Sequence, residues 1–174
     1  MATARSSYDE TPCSICTEVY TDPRVLPCGH TFCRQCIEAW SKLVCPFCRE
    51  GFGLPANGVG GLTKNVALSK VVETKELASG CEACSGDVAK AATCPICPEV
   101  YTDPRVLPCG HTCCRQCIGA LSKLACPVCR EGFGLPANGV GDLPRNFALL
   151  DILDDIKTAM AKIYSQHTGT GIFI

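Results

Sequence analysis

Three features of the sequence predict a small α+β fold that is repeated twice in tandem and stabilised by metal. Cysteine accounts for 17 of the 174 residues. The hydrophobic fraction of 47% counts cysteine and falls to about 37% without it, which is a thin supply for an apolar core. The second half of the chain also repeats the first. Domains this small usually need disulfides or bound metal, because apolar burial alone seldom stabilises them.

The composition excludes some classes of partner. The net charge of −1 gives no basic field of the kind that attracts nucleic acid, so none is expected as a partner. The N-terminal segment MATARSSYDE has no apolar run typical of a secretory signal, and no stretch is long enough to span a membrane. We therefore expect a reducing compartment, the cytoplasm or the nucleus, where thiols bind metal more often than they form disulfides.

An internal duplication organises the chain. A shift of 81 residues aligns positions 13–60 with 94–141, and the two segments differ at only seven positions. The sequence predicts one domain at 10–73 and a second at 91–164, each ending in a flanking helix. A small, polar linker at 74–90 joins them, and a flexible tail follows at 165–174.

The apolar spacing places the main elements. Residues 33–42 have helical spacing, and the D-P turn within 20–26 predicts a loop and a short strand. Pro144 is suited to begin the last helix. The apolar residues of that helix recur at intervals of three or four: Phe147, Leu150, Leu153, Ile156, Met160 and Ile163.

Cysteine and histidine spacing predicts zinc sites. Each half carries eight such residues as four pairs, in the order three cysteines, one histidine and four cysteines. Zinc prefers four nitrogen or sulfur ligands in a tetrahedron, so eight ligands make two sites per half and four zinc ions per chain. The predicted ligands are Cys13, Cys16, Cys28, His30, Cys33, Cys36, Cys45 and Cys48, followed by Cys94, Cys97, Cys109, His111, Cys114, Cys117, Cys126 and Cys129.

This ligand order, with the segments LPCGHTFC and CPFCR, resembles the RING finger, and more narrowly the RING of tripartite-motif (TRIM) ubiquitin ligases. The resemblance covers about 10–73 and 91–157. It implies a cross-brace, in which alternate ligand pairs share one zinc ion. The implied tetrads are Cys13/Cys16/Cys33/Cys36 and Cys28/His30/Cys45/Cys48, then Cys94/Cys97/Cys114/Cys117 and Cys109/His111/Cys126/Cys129.

The resemblance also implies a RING-type E3 ubiquitin transferase. Such a protein, or ligase module, docks a ubiquitin-conjugating enzyme and promotes direct transfer of ubiquitin to a lysine of a protein substrate. The positions that match the docking groove are Ile15, Trp40 and Pro46 in the first finger and Ile96, Leu121 and Pro127 in the second. Arg49 and Arg130 match the cationic linchpin that contacts both the conjugating enzyme and ubiquitin.

Other interpretations stay open for these residues. Trp40 could instead cap a thin core, and Arg49 could be a solvated surface charge. Since Leu121 replaces Trp40 in the second copy, we expect the first finger to be the more active one. The alternative function is a non-catalytic RING scaffold or a modulator of another ligase.

Four residues of metal-binding types are left over: Cys81, Cys84, Cys113 and His167. The preferred interpretation of Cys113 is a packed neutral thiol, against a catalytic thiolate. Cys81 and Cys84 are interpreted as an orphan half-site or as free thiols.

The flanking segments 62–73 and 143–156 look like the helices through which TRIM-type RING fingers dimerise. A helix could pack only on its own finger, or two chains could form a homodimer. We favour pairing of the two copies within one chain, because the linker keeps them at high effective concentration. Glu10 matches an acidic residue that touches ubiquitin in dimeric relatives, whereas its counterpart is Ala91. The sequence does not identify the substrate, the conjugating enzyme or the ubiquitin linkage.

Overall fold

The computed structural model describes residues 12–78 and 90–154, with side chains at 12–74 and 90–154. Glu10, Cys81, Cys84 and His167 lie outside these residues, as do most of the predicted linker and the tail. Within the described ranges, no helix combines the length and apolar character that crossing a bilayer requires.

A two-stranded antiparallel hairpin and a short helix form the centre of each finger. In the first, Pro23 lies opposite Cys33 across the hairpin, and all three residues of the second strand are buried. The bounds are β1 Pro23–Val25, β2 Thr31–Cys33 and helix Arg34–Glu38 in the first finger, and β3 Pro104–Val106, β4 Thr112–Cys114 and helix Arg115–Gly119 in the second.

The short helix ends earlier than the sequence predicts. It stops at Glu38 instead of continuing to residue 42. The amide of Trp40 donates to the carbonyl of Ile37 at 3.2 Å, so the last turn tightens to three residues and the chain leaves the helical path. Trp40 therefore lies just beyond the helix.

A partly buried arginine binds the repeated loop after the last ligand to the hairpin. Arg24 donates to the carbonyls of Gly60 and Leu62 at 3.0 and 2.9 Å, and these residues lie in and beside a 3-10 helix, Gly58–Gly61. Arg105 makes the same two bonds to the 3-10 helix Gly139–Asp142 and the residue that follows it.

The first flanking helix is Val66–Ala78, and the second begins at 147 and is described to 154. An asparagine caps each one: Asn65 accepts from the amide of Leu68 at 3.1 Å, and Asn146 from that of Leu149 at 3.3 Å. The expectation that Pro144 begins the second helix is wrong. Its carbonyl accepts the amide of Val106 at 2.8 Å, so this segment pairs with the hairpin before the helix starts.

The two flanking helices belong to one apolar core. Leu68 and Val71 of the first helix are fully buried in the same cluster as Leu149, Ile152 and Leu153 of the second. Each side chain buried in this way contributes about 1.5–3 kcal/mol relative to an exposed one. The fingers thus pair within one chain in the structure, as the sequence interpretation favoured.

A reciprocal amide pair lies at the centre of this pairing. Asn65 Nδ2 donates to Asn146 Oδ1 at 2.8 Å, and Asn146 Nδ2 donates back to Asn65 Oδ1 at 2.9 Å. Each Nδ2 also donates to a threonine hydroxyl, Thr31 or Thr112, at 3.0 Å. The two asparagines are 81 residues apart, which is the offset of the duplication. Exchanging the two fingers therefore exchanges the two asparagines and leaves the contact the same. It therefore marks a pseudo-two-fold axis between the fingers.

Removing one of these amides should weaken the pairing. Asn65→Ala leaves the fully buried amide of Asn146 without its partner, so we expect the free energy of unfolding to fall by roughly 1–3 kcal/mol. Denaturant unfolding of the zinc-loaded chain measures this loss. Asn57→Ala is the matched control, because Asn57 is exposed and its side chain caps nothing. Equal stability of the two variants would contradict the role of the amide pair.

Candidate metal centres

The structure gathers the sixteen predicted ligands into four tetrads. Within each tetrad the candidate ligand atoms all lie within 4.8 Å of one another. The groups match the cross-brace that the resemblance implies: Cys13, Cys16, Cys33 and Cys36; Cys28, His30, Cys45 and Cys48; Cys94, Cys97, Cys114 and Cys117; Cys109, His111, Cys126 and Cys129.

The distances between ligand atoms fit tetrahedral zinc. Bond lengths of about 2.3 Å to sulfur and 2.0–2.1 Å to nitrogen place sulfurs about 3.8 Å apart, and sulfur about 3.6 Å from nitrogen. The sulfurs of Cys16 and Cys33 are 3.9 Å apart, and the Nδ1 atom of His30 lies 3.4 Å from Cys28 and 3.5 Å from Cys45. The cysteines that the structure describes are free thiols. Four tetrads of this kind are compatible with four zinc ions.

Local structure brings the first tetrad together. An isolated β-bridge between Pro12 and Val19 folds the first ligand pair into a turn. Cys33 ends β2, and Cys36 follows in the short helix. The backbone N–H of Thr21 donates to the sulfur of Cys33 at 3.2 Å, a contact that stabilises a thiolate and orients the ligand.

The hairpin loop that supplies the second tetrad also forms part of the contact between fingers. Gly29, between Cys28 and His30, has φ +93°, and a Cβ atom there would collide with the carbonyl oxygen of Arg145 in the other finger. Gly110, at φ +87°, has the same relation to the carbonyl of Lys64. Only glycine fits a left-handed conformation at such close approach. Metal ligation and finger pairing therefore share one loop.

The protonation equilibria favour a bound cation. Burial raises the pKa of Cys28, Cys33 and Cys36 to about 12 in the metal-free protein, so their thiolates are costly without a compensating charge. Burial lowers the pKa of His30 and of His111, which keeps each imidazole neutral and able to donate a lone pair. Zn²⁺ supplies the charge that four such ligands need.

Cys113 lies outside the tetrads. Its side chain is fully buried in the second finger, at the position that Phe32 occupies in the first. Burial raises the pKa of this thiol, so the neutral form predominates. These observations favour the packed thiol over a catalytic thiolate.

The candidate contacts for a conjugating enzyme are mostly exposed. In the first finger, Ile15 is 40% exposed and Pro46 and Arg49 are exposed, whereas Trp40 is half-buried. The Trp40 ring meets Phe32 edge-on at 5.0 Å, so it also packs against the core.

The second finger differs in detail. Pro127 and Arg130 are exposed, but Ile96 and Leu121 are half-buried and pack against the apolar cluster. The second finger thus offers less exposed apolar surface at these positions than the first.

Sequence reasoning missed the residues that join the fingers. Asn65 and Asn146 carried a usable signal, because each precedes a predicted helix in a repeated N-x-A-L segment and asparagine is a preferred N-cap. Phe147, expected only as an apolar helix residue, stacks on His30 of the other finger with ring centroids 4.8 Å apart. Local spacing gives no signal for that contact.

A comparison with known families agrees with this geometry. The RING-type zinc-finger family matches residues 13–46 and 94–125. The chain thus contains two RING-type zinc-finger segments in tandem. The family match ends before Cys48 in the first RING and before Cys126 and Cys129 in the second, and the structure brings these remaining ligands into their tetrads.

The RING regions are similar to those of tripartite-motif proteins. Tripartite motif-containing protein 59 of Gallus gallus is 35% identical over 125 residues, which cover 59% of this chain and 28% of the relative. Tripartite motif-containing protein 2 of Bos taurus is 31% identical over 119 residues, which cover 60% of this chain and 16% of the relative. The chain therefore spans less than a third of these relatives.

Two adjacent cysteines of the second RING give a sharp test of the ligand assignment. Cys114→Ala removes a ligand from the tetrad that begins at Cys94, so we expect native mass spectrometry to find three zinc ions instead of four. Cys113→Ala removes a buried thiol that binds no metal, so it should keep four ions and lose only about 1 kcal/mol of stability. Loss of zinc from Cys113→Ala, or four tightly held ions in Cys114→Ala, would contradict the assignment.

Proposed function

We propose that this protein is a RING-type E3 ubiquitin ligase, or the ligase module of one. In this proposal it docks a ubiquitin-conjugating enzyme and promotes direct transfer of ubiquitin to a substrate lysine. The main support is that Ile15, Pro46 and Arg49 are exposed on a finger that contains two zinc tetrads. They stay exposed although the finger has few apolar residues with which to build a core. Exposed apolar side chains on a rigid frame are typical of a protein-binding surface.

The proposed chemistry requires no catalytic metal. Four protein ligands close each tetrad, so no coordination position is left for a reacting water. The lysine amine of the substrate attacks the thioester carbon on the conjugating enzyme, and the enzyme's thiol leaves. The RING contributes by restricting the thioester-linked ubiquitin to conformations that react.

The backbone supports the linchpin role proposed for Arg49. Its φ is +61°, in the left-handed region, and its amide donates to the carbonyl of Cys45 at 2.9 Å. Arg130 has φ +63° and donates in the same way to Cys126 at 2.8 Å. The turn that carries the last two ligands thus fixes the backbone from which each arginine side chain extends. The several N–H donors of a guanidinium can serve two carbonyl acceptors at once.

The pairing of the fingers supports a self-contained catalytic unit. The shared core and the buried amide pair hold the two RINGs together within one chain. We propose that one RING binds the conjugating enzyme while the other helps to hold its ubiquitin. We place this activity in the cytoplasm or nucleus, because thiol ligands favour a reducing compartment.

Ubiquitin transfer with a panel of conjugating enzymes tests the proposal. The chain should build ubiquitin conjugates with at least one of them. Arg49→Ala together with Arg130→Ala should slow transfer about ten- to a hundredfold, because each arginine contributes charged hydrogen bonds of roughly 1.5–3 kcal/mol.

Matched controls separate the linchpins from general charge effects. Arg34→Ala and Arg115→Ala remove half-exposed arginines of the short helices and should leave the rate almost unchanged. No conjugates with any conjugating enzyme, from protein that holds its zinc, would instead support the scaffold alternative.

The two fingers should differ in activity. Trp40→Leu gives the first RING the residue that the second RING has at the equivalent position, so it tests docking with less disturbance of the core than alanine would. We expect this variant to lower the transfer rate more than Leu121→Ala does. A Trp40→Leu variant as fast as the parent would contradict our assignment of the first RING as the more active.

A further inference from the structure

The two histidine ligands have different surroundings, although they come from duplicated loops. Two aromatic rings pack against His30. Phe47 of its own finger is 5.2 Å away between ring centroids, and Phe147 of the other finger is 4.8 Å away and nearly parallel, at 17°. The imidazole is therefore covered on the side that faces the second finger.

His111 has no such rings at the equivalent positions. The counterparts of Phe47 and Phe147 under the 81-residue shift are Val128 and Val66. Both valines, together with His111, line a cavity of about 500 Å³ between the fingers. Lys70 and Tyr101 line the same cavity. A valine is much smaller than a phenyl ring, so open volume reaches the imidazole in the second finger.

We propose that the four zinc sites are unequal, and that the tetrad of Cys109, His111, Cys126 and Cys129 exchanges its zinc with small chelating molecules faster than the tetrad of Cys28, His30, Cys45 and Cys48. Cys48 and Cys129 are both exposed, so the difference lies at the histidines, where a ring of the other finger covers His30. The cavity beside His111 is the route of access. The inference is separate from ubiquitin transfer and holds whether or not the protein is a ligase.

The chemistry of exchange explains why the cover matters. A chelating molecule removes zinc from a closed site by bonding to the metal as a protein ligand leaves, so it must first reach the ligands. The imidazole leaves as the neutral ring, and each displaced thiolate takes up a proton from water. No oxidation is involved. Phe147 blocks such an approach at His30 and also restricts rotation of the imidazole ring away from the site.

Loss of zinc from the tetrad of His111 would act on the pairing of the fingers. Gly110, which lies between Cys109 and His111, accepts the amide of Val66 at 3.2 Å across the interface. It also packs against Lys64. If the ligand loop relaxes, these contacts are lost, while those of Gly29 with the second finger remain. The availability of zinc would thereby decide whether the contacts in one half of the interface form.

Zinc release from the fully loaded chain tests the inference. We would mix the protein with excess chromogenic chelator and follow absorbance, while N-ethylmaleimide labels freed thiols for mass spectrometry. We expect one zinc equivalent in an early phase, with label first at Cys109, Cys126 and Cys129. The proposal would be overturned if both histidine tetrads were labelled simultaneously, or if the histidine tetrad of the first finger were labelled earlier.

Exchanging the covering residues provides matched variants. Val66→Phe or Val128→Phe should slow the early phase severalfold, because a phenyl ring then fills space beside His111. Phe147→Val should speed labelling of the His30 tetrad, whereas Phe147→Tyr should keep it slow. The Cys13 tetrad serves as the internal control and should stay protected throughout.

These variants remain informative if one of them folds poorly. A variant that already holds fewer than four zinc ions before mixing is set aside, and the other valine replacement is used. Unchanged kinetics in both a properly loaded valine variant and Phe147→Val would overturn the role of the aromatic cover.

Discussion

Zinc ligation by closed tetrads is the interaction on which the rest of this structure depends. Between its first and last ligand, each finger has two short strands and one short helix, and burial raises the pKa of several of its ligand thiols. Without a cation, those thiols would stay protonated and would provide no thiolate to hold the tetrads together. Ligation of structural zinc contributes on the order of 10–16 kcal/mol, which is as large as the whole unfolding free energy of a typical domain. The exposed docking residues depend on that frame for their positions.

Because of the duplication, each zinc-binding finger has a partner finger within the same chain. The loop that carries the histidine ligand also meets the other finger, and a glycine in it permits the close approach. Metal binding and pairing are therefore physically linked. The pairing is symmetric at the Asn65–Asn146 amide pair but asymmetric at the histidines, where Phe147 covers one and Val66 borders the other. Seven substitutions in 48 aligned positions, with changes in the flanking helices, were enough to make two similar fingers unequal.

Sequence spacing predicted the metal ligands because each pair is local: its two members are separated by only one or two residues and must lie close together. The grouping of pairs into tetrads came from the resemblance to RING fingers, since spacing alone does not say which pairs share an ion. The amide pair could not be predicted, because it joins residues 81 positions apart and apolar periodicity carries no information about a buried polar contact. The stacking of Phe147 on His30 is equally nonlocal. The early end of the first short helix depends on one tightened turn, which local propensity does not resolve.

Zinc K-edge X-ray absorption on the reduced, purified chain, combined with metal analysis, tests the central claim most directly. Fourteen sulfurs and two nitrogens shared among four tetrads predict an average of about 3.5 sulfur and 0.5 nitrogen ligands per ion, with zinc–sulfur distances near 2.3 Å. The same sample should contain four zinc ions per chain. Many fewer ions, or an average shell with two or fewer sulfurs completed by water oxygens, would contradict the account.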